Sequence, residues 1–284
     1  MTRISIITPS YNQGEFIERT IKSVLNQGYE NIEYIIIDGG SSDSTVGLLK
    51  KYDEHIAYWV SEPDNGQTEA INKGLMHATG DVLAYLNSDD VLFPGALHFI
   101  DACFKKHKDA DLIYGDCVIF DQNDRFLHIK REIDFDYSMG CMIGFGLITI
   151  QPSTFFRRSV LEDVGYFDET LHYIMDGDYW YRCASRGKRF KHMPEIFSGF
   201  RWHTSSKTMS DDSRVVEKWQ LEKHKLSKAA YESLPIARLV PFDYSTLLRK
   251  IYRLKRVGIK LIRGCYFNTR DQSVSKAFTA FLQK

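Results

Sequence analysis

An α/β fold, with a mostly parallel, doubly wound sheet and helices on both faces, is what this sequence predicts. Three observations predict it. Short apolar runs alternate with amphipathic runs from residue 4 to about 120. The apolar runs contain consecutive β-branched residues, Ile35–Ile36–Ile37 above all, as expected of strands covered on both faces. The connections are short, and four polar ones, Thr8–Asn12, Asp38–Ser44, Glu62–Gly66 and Asn87–Asp90, directly follow strand-like runs. Strands and helices alternating in this way give a parallel sheet with right-handed crossovers, and turns after its strands gather along one edge.

Ile4–Thr8 reads as the first strand, stopped by Pro9. Phe16, Ile17, Thr20, Ile21, Val24 and Leu25 recur at helical spacing in Glu15–Asn26, and Gly28 ends that helix. Ile32–Asp38 is the second strand; Asp43 or Ser44 caps the helix Thr45–Tyr52. Ile56–Ser61 and Val82–Leu86 are further strands around the helix Gln67–His77. Ala96–Phe104 reads as helix and Leu112–Phe120 as strand. After about residue 121 the alternation breaks down. Arg125–Arg131 suits a hairpin strand, Asp176–Ser185 a helix and Glu195–Arg201 a last strand. Beyond Thr208 the composition turns helical and charged. We therefore divide the chain into a domain of residues 1–208, with halves 1–120 and 121–208, and a helical, basic extension of residues 209–284.

Composition narrows the function classes. The chain has 284 residues and a formal net charge of zero, so no global field points to nucleic acid. Its five cysteines are widely spaced, without a Cys-x-x-Cys pair, which argues against a disulfide framework or zinc site and for a reducing compartment. The sequence opens directly into strand-like residues, so a signal peptide is not expected. No run approaches the eighteen or so apolar residues of a membrane span.

The stretch Leu86–Asn87–Ser88–Asp89–Asp90 carries the most chemistry. It places two adjacent carboxylates at the carboxyl end of a buried strand, where open α/β sheets bind ligands. Such carboxylates repel unless a positive charge lies between them. A divalent cation bridging to phosphate oxygens relieves that repulsion; a solvated Asp-Asp turn is the plainer alternative.

Four segments in order, Thr8–Pro9–Ser10–Tyr11–Asn12, Asp38–Gly39–Gly40–Ser41–Ser42–Asp43–Ser44–Thr45, Glu62–Pro63–Asp64–Asn65–Gly66 and Asn87–Ser88–Asp89–Asp90, resemble the signature of glycosyltransferase family 2. The resemblance covers roughly residues 3 to 208. It implies a GT-A fold, a nucleotide-diphosphate sugar donor, Mn2+ or Mg2+ as cofactor, and inversion at the anomeric carbon.

It also implies roles for particular residues. Thr8 and Tyr11 would contact the nucleoside, or simply form a helix-capping turn. Asp38 would accept the imide N–H of uracil, or cap its own Gly-Gly turn. Glu62 and Asp64 would approach base and ribose, or form a solvated turn. Asp89 would hold the ribose and Asp90 the metal, with Ser88 among the residues that bind the nucleotide sugar. A literal Asp-x-Asp is absent, because Asn87 or Ser88 stands where the first acid would be. Asp176 matches the catalytic base, with Asp178 competing for that role. His203 would be a further metal ligand, suited to Mn2+ more than Mg2+, and Lys207 would pair with phosphate. Gln151 would face the acceptor.

The resemblance thus implies an inverting hexosyltransferase acting on a hydroxyl acceptor, with UDP-sugars preferred, in polysaccharide or lipid-linked glycan synthesis. Two alternatives compete. A non-catalytic scaffold on the same fold would not need Asp89, Asp90, Asp176 and His203 together. A sugar nucleotidyltransferase would carry Lys or Arg in its first loop, and Thr8–Gly14 has neither. In the extension, Leu247–Arg263 mixes seven Lys and Arg with apolar residues and has no acid. Such a helix suits an anionic membrane surface, or a solvated rim on its own domain. The expected location is the cytoplasm, at the inner face of the membrane, near a glycan or lipid-linked acceptor.

Overall fold

The computed structural model describes residues 1–144, 149–204, 206 and 212–282. Its first half follows the alternation expected from sequence. β1 (Ile4–Ser10), α1 (Ile17–Leu25), β2 (Ile32–Asp38), α2 (Thr45–Lys51), β3 (Tyr58–Ser61), α3 (Gln67–His77) and β4 (Val82–Tyr85) come in order. β1 runs parallel to β2, with Ile4 opposite Ile32 and Ser10 opposite Asp38. β4 lies on the other side of β1, and β3 beyond β2, all parallel.

The second half extends the same sheet. It contains β5 (Val91–Leu92), α4 (Ala96–Lys106), β6 (Leu112–Asp121), β7 (Phe126–Lys130), α5 (Tyr137–Ile143), β8 (Thr154–Arg157), α6 (Arg158–Val164), α7 (Met175–Ser185) and β9 (Phe190–Trp202). The strand order is β3-β2-β1-β4-β8-β6-β9-β5, with β7 paired to β6. β8 joins β4 and β6 antiparallel, whereas β9 runs parallel to β6. The expected hairpin around residue 125 is β6–β7.

Both faces of the sheet are covered, which is why its strands read as continuous apolar runs. Ile7, Ile35 and Ile37 share one core with Ile71 and Leu75 of α3 and Tyr179 and Trp180 of α7. Ile4, Ile6 and Ile36 point the other way, to Ile17 and Ile21 of α1 and Leu97 and Ile100 of α4. α3 lies flush on β1: a Cβ at Gly74 would come within 2.3 Å of Ile7. That contact fixes the start of α3, at Gln67, against the carboxyl edge of the sheet.

The extension forms α8 (Ser213–Glu232), α9 (Thr246–Ile262) and α10 (Gln272–Leu282). It packs into the main body: Tyr231, Leu234, Phe242 and Cys265 belong to the same core as α3 and α7. Phe278 of α10 packs with Val91, Val118 and Phe120. Part of the basic character of α9 is taken up by the main body. Arg256 and Lys260 both reach the buried carboxylate of Glu132, Lys255 lies 3.6 Å from Asp136, Arg263 pairs with Asp134, and Arg249 donates to the Met142 carbonyl. The described cysteines are buried, unpaired thiols, and no described helix is long and apolar enough to cross a membrane.

Candidate active site

The turns that follow β1, β2, β3 and β4 border one cavity of about 870 Å³ at the carboxyl edge of the sheet. Its far wall is built by Gln151 and by the segment His172–Asp176 that leads into α7. Phe200, His203 and Ser206 close the side next to β9.

The acidic turn after β4 presents Ser88 and Asp89 to this cavity. The Asp89 carboxylate meets the His203 imidazole, with Oδ2 and Nε2 2.8 Å apart. The imidazole also packs on Phe16, with centroids 4.7 Å apart. Asp90, the metal ligand expected from sequence, is not at the cavity surface. It is fully buried, and its Oδ1 accepts the backbone N–H of Arg201 at 3.0 Å. Burial first, then the neighbouring Asp89 charge, push its carboxyl well above the usual carboxylate range, against the Arg201 N–H and guanidinium. The cavity-facing carboxylate is thus Asp89. The register is set by Arg201, which holds the turn through the Asp89 carbonyl at 2.9 Å and through Asp90.

The donor set facing the cavity fits a divalent ion. Asp89 and His203 supply one carboxylate and one imidazole, a combination that suits Mn2+. Among the described residues no cluster of three His, Cys, Asp or Glu forms a closed site, so the remaining coordination positions would fall to diphosphate oxygens and water.

Asp176 stands in the first turn of α7 and borders the same cavity. Its Oδ1 accepts the N–H of Gly177 at 2.6 Å. Burial raises its proton affinity, opposed by that N–H and by the charge of Lys130. Asp178, the competing candidate, is engaged elsewhere: it pairs with Arg182 at 2.7 Å one turn along α7 and does not border the cavity. Gln151 does border it. It donates to the Tyr85 carbonyl at 2.8 Å and accepts from Asn87 at 3.3 Å, while Asn87 accepts from Gln67 at 2.7 Å. This amide relay ties the acidic turn to α3 and to the Gln151 segment across the cavity floor.

The half expected to hold the nucleoside differs in several places. Tyr11 is exposed at the cavity wall, as expected. Thr8 is not: it is fully buried, and its hydroxyl pairs with the Tyr34 phenol at 3.1 Å. β1 simply directs Thr8 beneath the sheet edge, and Ser10, two residues on, borders the cavity instead. The buried Ser10 hydroxyl has no hydrogen-bond partner among the described residues. Asp38 is also buried, its carboxylate taken up by the Ser41 N–H, the Ser41 hydroxyl and the Ser61 hydroxyl. It organises the Gly39–Gly40 turn, and those glycines, not Asp38, reach the cavity.

Asp64 reaches it as well. A Cβ at Gly39 would lie 2.9 Å from the Asp64 carboxylate, so only glycine allows this approach. Burial raises the Asp64 proton affinity, countered by the Gly66 N–H it accepts and reinforced by Glu69 and Asp38. Glu62 turns away to pair with Lys73 of α3 at 3.0 Å, mostly in solvent. Lys207 lies outside the described residues.

Sequence reasoning missed Arg201, Gln67, Asn87 as a relay, Ser10 and His172. Arg201 carried a usable signal: it is a cation within an apolar strand, Phe197–Trp202. In the structure it is fully buried between Phe16 and Phe120, at 4.8 and 4.4 Å from their ring centroids, and it pairs with Asp124.

Comparison with known proteins bears on the family and the fold. Residues 5–165 match the family model described as Glycosyl transferase family 2. An uncharacterized glycosyltransferase of Mycobacterium tuberculosis is 48% identical over 186 residues, covering 64% of this chain and 68% of that protein. One from Rickettsia typhi is 29% identical over 189 residues, covering 63% of this chain and 58% of that protein. Among solved structures, S. aureus TarS 1–349 in complex with UDP superposes with a TM-score of 0.61 at 18% identity, covering 82% of this chain and 66% of that chain. The mannosyltransferase PcManGT from Pyrobaculum calidifontis, in complex with GDP-Man and Mn2+, gives 0.56 at 17% identity, covering 98% and 86%. At these identities the structural matches show a shared GT-A-type fold.

Arg201 gives this geometry a direct test. Replacing the buried guanidinium leaves the Asp89 carbonyl without its partner and Asp124 with Arg19 alone, so Arg201→Met should destabilise the protein by about 1–3 kcal/mol. Urea unfolding would read this as a lowered midpoint; an unchanged midpoint would mean that Arg201 does not hold the acidic turn.

Proposed function

The chain belongs to glycosyltransferase family 2, and from that premise we propose that it moves a hexose from a UDP-sugar to a hydroxyl acceptor with inversion. The observation that carries the reading is one cavity bordered by the Asp89–His203 pair and by Asp176. In the proposed mechanism Asp89 and His203 hold Mn2+ or Mg2+, in place of the Asp90–His203 pair expected from sequence. When bound, the ion acts as a Lewis acid that neutralises charge on the departing diphosphate. Ser88 and Ser10 offer hydroxyls to the nucleoside diphosphate, and Tyr11 offers its ring to the base.

A single carboxylate facing the base suits the one imide N–H of uracil. Asp64 takes that role in this reading because it borders the cavity, while Asp38 shapes the neighbouring Gly39–Gly40 turn. TarS, whose fold this chain shares, was solved with UDP, whereas PcManGT was solved with GDP-Man. Binding of UDP and GDP in competition decides between the bases, and tighter GDP binding would overturn the assignment.

Asp176 serves as the base. Of the carboxylates bordering the cavity, Asp89 meets His203 and Asp64 is assigned to the nucleoside, which leaves Asp176, whose carboxylate accepts the Gly177 N–H, for the acceptor. A carboxylate that removes the acceptor proton as the hydroxyl attacks from the face opposite the diphosphate gives direct displacement with inversion.

The transferase reading is tested by UDP release from UDP-glucose, UDP-galactose and their N-acetyl forms, with Mn2+ or with excess chelator. Metal-dependent release is expected; absence of release from all four, or full release in chelator, would contradict it. Asp176→Asn should lower turnover by about two to four orders of magnitude with little change in UDP affinity.

The pH profile gives the same test a sign. A base works only when deprotonated, and burial has raised the proton affinity of Asp176. Turnover should therefore rise with pH through a pKa above that of an ordinary aspartate. A profile flat down to the ordinary range would argue against Asp176.

Contact with a membrane carrying a lipid-linked acceptor is supported by the outward side of α9. Leu247, Ile251, Leu254 and Ile262 form an apolar stripe along it, with Leu247, Leu254 and Ile262 at 69%, 70% and 88% exposure. Lys250 and Arg253 are exposed beside the stripe and make no ion pair among the described residues. Arg249, Arg256 and Lys260 bond into the domain, and Lys255 and Arg263 are paired with surface carboxylates, so adsorption depends on apolar insertion more than on charge. Deleting the extension would open the main core, so point variants make the cleaner test. Leu254→Glu with Ile251→Glu should cut co-sedimentation with phosphatidylglycerol vesicles at least tenfold. Equal binding by both proteins, or none by either, would remove this role.

A further inference from the structure

The segment that carries Asp176 is gripped from two sides, and only one grip comes from the sheet domain. Residues Phe167–Ile174 form the approach to α7. α3 holds the first part: Asn72 exchanges hydrogen bonds with the backbone of Phe167 at 2.9 and 3.0 Å, and Thr68 donates to the Leu171 carbonyl at 2.8 Å. The second part is held from the extension. The Glu222 carboxylate, on α8, accepts the consecutive backbone N–H groups of His172 at 3.1 Å, Tyr173 at 3.0 Å and Ile174 at 3.3 Å. Ile174 immediately precedes α7, so these donors lie at the positive end of the helix dipole, where an anion is favoured. His172, Tyr173 and Asp176 all border the cavity.

We infer that Glu222 is a positioning residue for the transfer reaction: by clamping three N–H groups it fixes the wall that presents Asp176. The chemistry supports this. A carboxylate has about four lone-pair sites, and a helix start has N–H groups with no partner inside the helix. One side chain satisfies three consecutive donors, so the backbone cannot slide along α8 without breaking them together. Through Glu222 the extension supplies part of the wall that carries Asp176.

The inference rests on Asp176 as the base, and the experiment separates the two claims. Glu222→Ala keeps helix propensity but removes every acceptor. With the UDP-hexose that is hydrolysed fastest, kcat should fall about 10–100-fold while the donor KM stays within twofold, because misplacing a reacting group affects turnover more than binding. Glu222→Gln retains one acceptor oxygen and should recover part of the loss; it also serves as the test variant if the alanine protein fails to fold. Amide hydrogen exchange at residues 172–174 should be faster in either variant. In an Asp176→Asn background the Glu222 change should cost little more, because both act through one carboxylate. Wild-type exchange and wild-type kcat in Glu222→Ala would overturn the inference, as would a full additive loss in the double variant. If Asp176→Asn is itself fully active, the choice of base fails, and the exchange data still decide whether Glu222 holds the wall.

Discussion

The buried guanidinium of Arg201 is the interaction on which this site depends. It lies at the centre of an acidic neighbourhood that would otherwise repel itself: Asp89 and Asp90 on one turn and Asp124 on the β6–β7 hairpin. Its planar group is stacked between Phe16 and Phe120, so its position is set by packing as well as by charge. Asp124, in left-handed backbone at φ 64°, is shared with Arg19 at 2.6 Å, which brings α1 into the same network. With this cation in place one carboxylate can be enclosed and the next left facing the cavity.

That arrangement explains what could and could not be read from the sequence. The parallel half was legible because two covered faces require consecutive apolar residues, as in Ile35–Ile36–Ile37. The gathering of polar turns at one edge was legible because parallel crossovers send them there. The orientation of Asp89 against Asp90 was not. Strand alternation ends at the turn, and the choice is made by a residue 111 positions later. Thr8 and Asp38 read as ligand contacts because their segments border the cavity, but Thr8 lies deeper in β1, on Tyr34, and Asp38 is taken up by Ser41 and Ser61. For Glu62 the contrary signal was local: Lys73 lies on the helix that follows and draws the carboxylate away. Choosing Asp176 over Asp178 needed the helix register, since one faces the cavity and the other its own i+4 arginine.

The extension follows a similar lesson. Read alone, the run of cations in α9 suggested a surface searching for anions. In the folded chain Arg256 and Lys260 converge on the buried Glu132, and the outward side combines an apolar stripe with exposed cations such as Lys250 and Arg253. α8 and α9 thus have different tasks on one scaffold. The first braces the wall that carries Asp176, and the second turns an apolar stripe to the outside. Neither is separable from the sheet domain, because Tyr231 and Phe242 belong to its core.

The central claim is that Asp89 and His203, facing Asp176 across one cavity, hold the ion that receives the diphosphate. Anomalous diffraction from crystals grown with UDP and Mn2+ tests it most directly. The account predicts one manganese peak within bonding distance of Asp89 and His203, with the diphosphate oxygens on its far side and Asp90 still bonded to the Arg201 N–H. A peak on Asp90, or UDP bound in this cavity with manganese elsewhere, would contradict it.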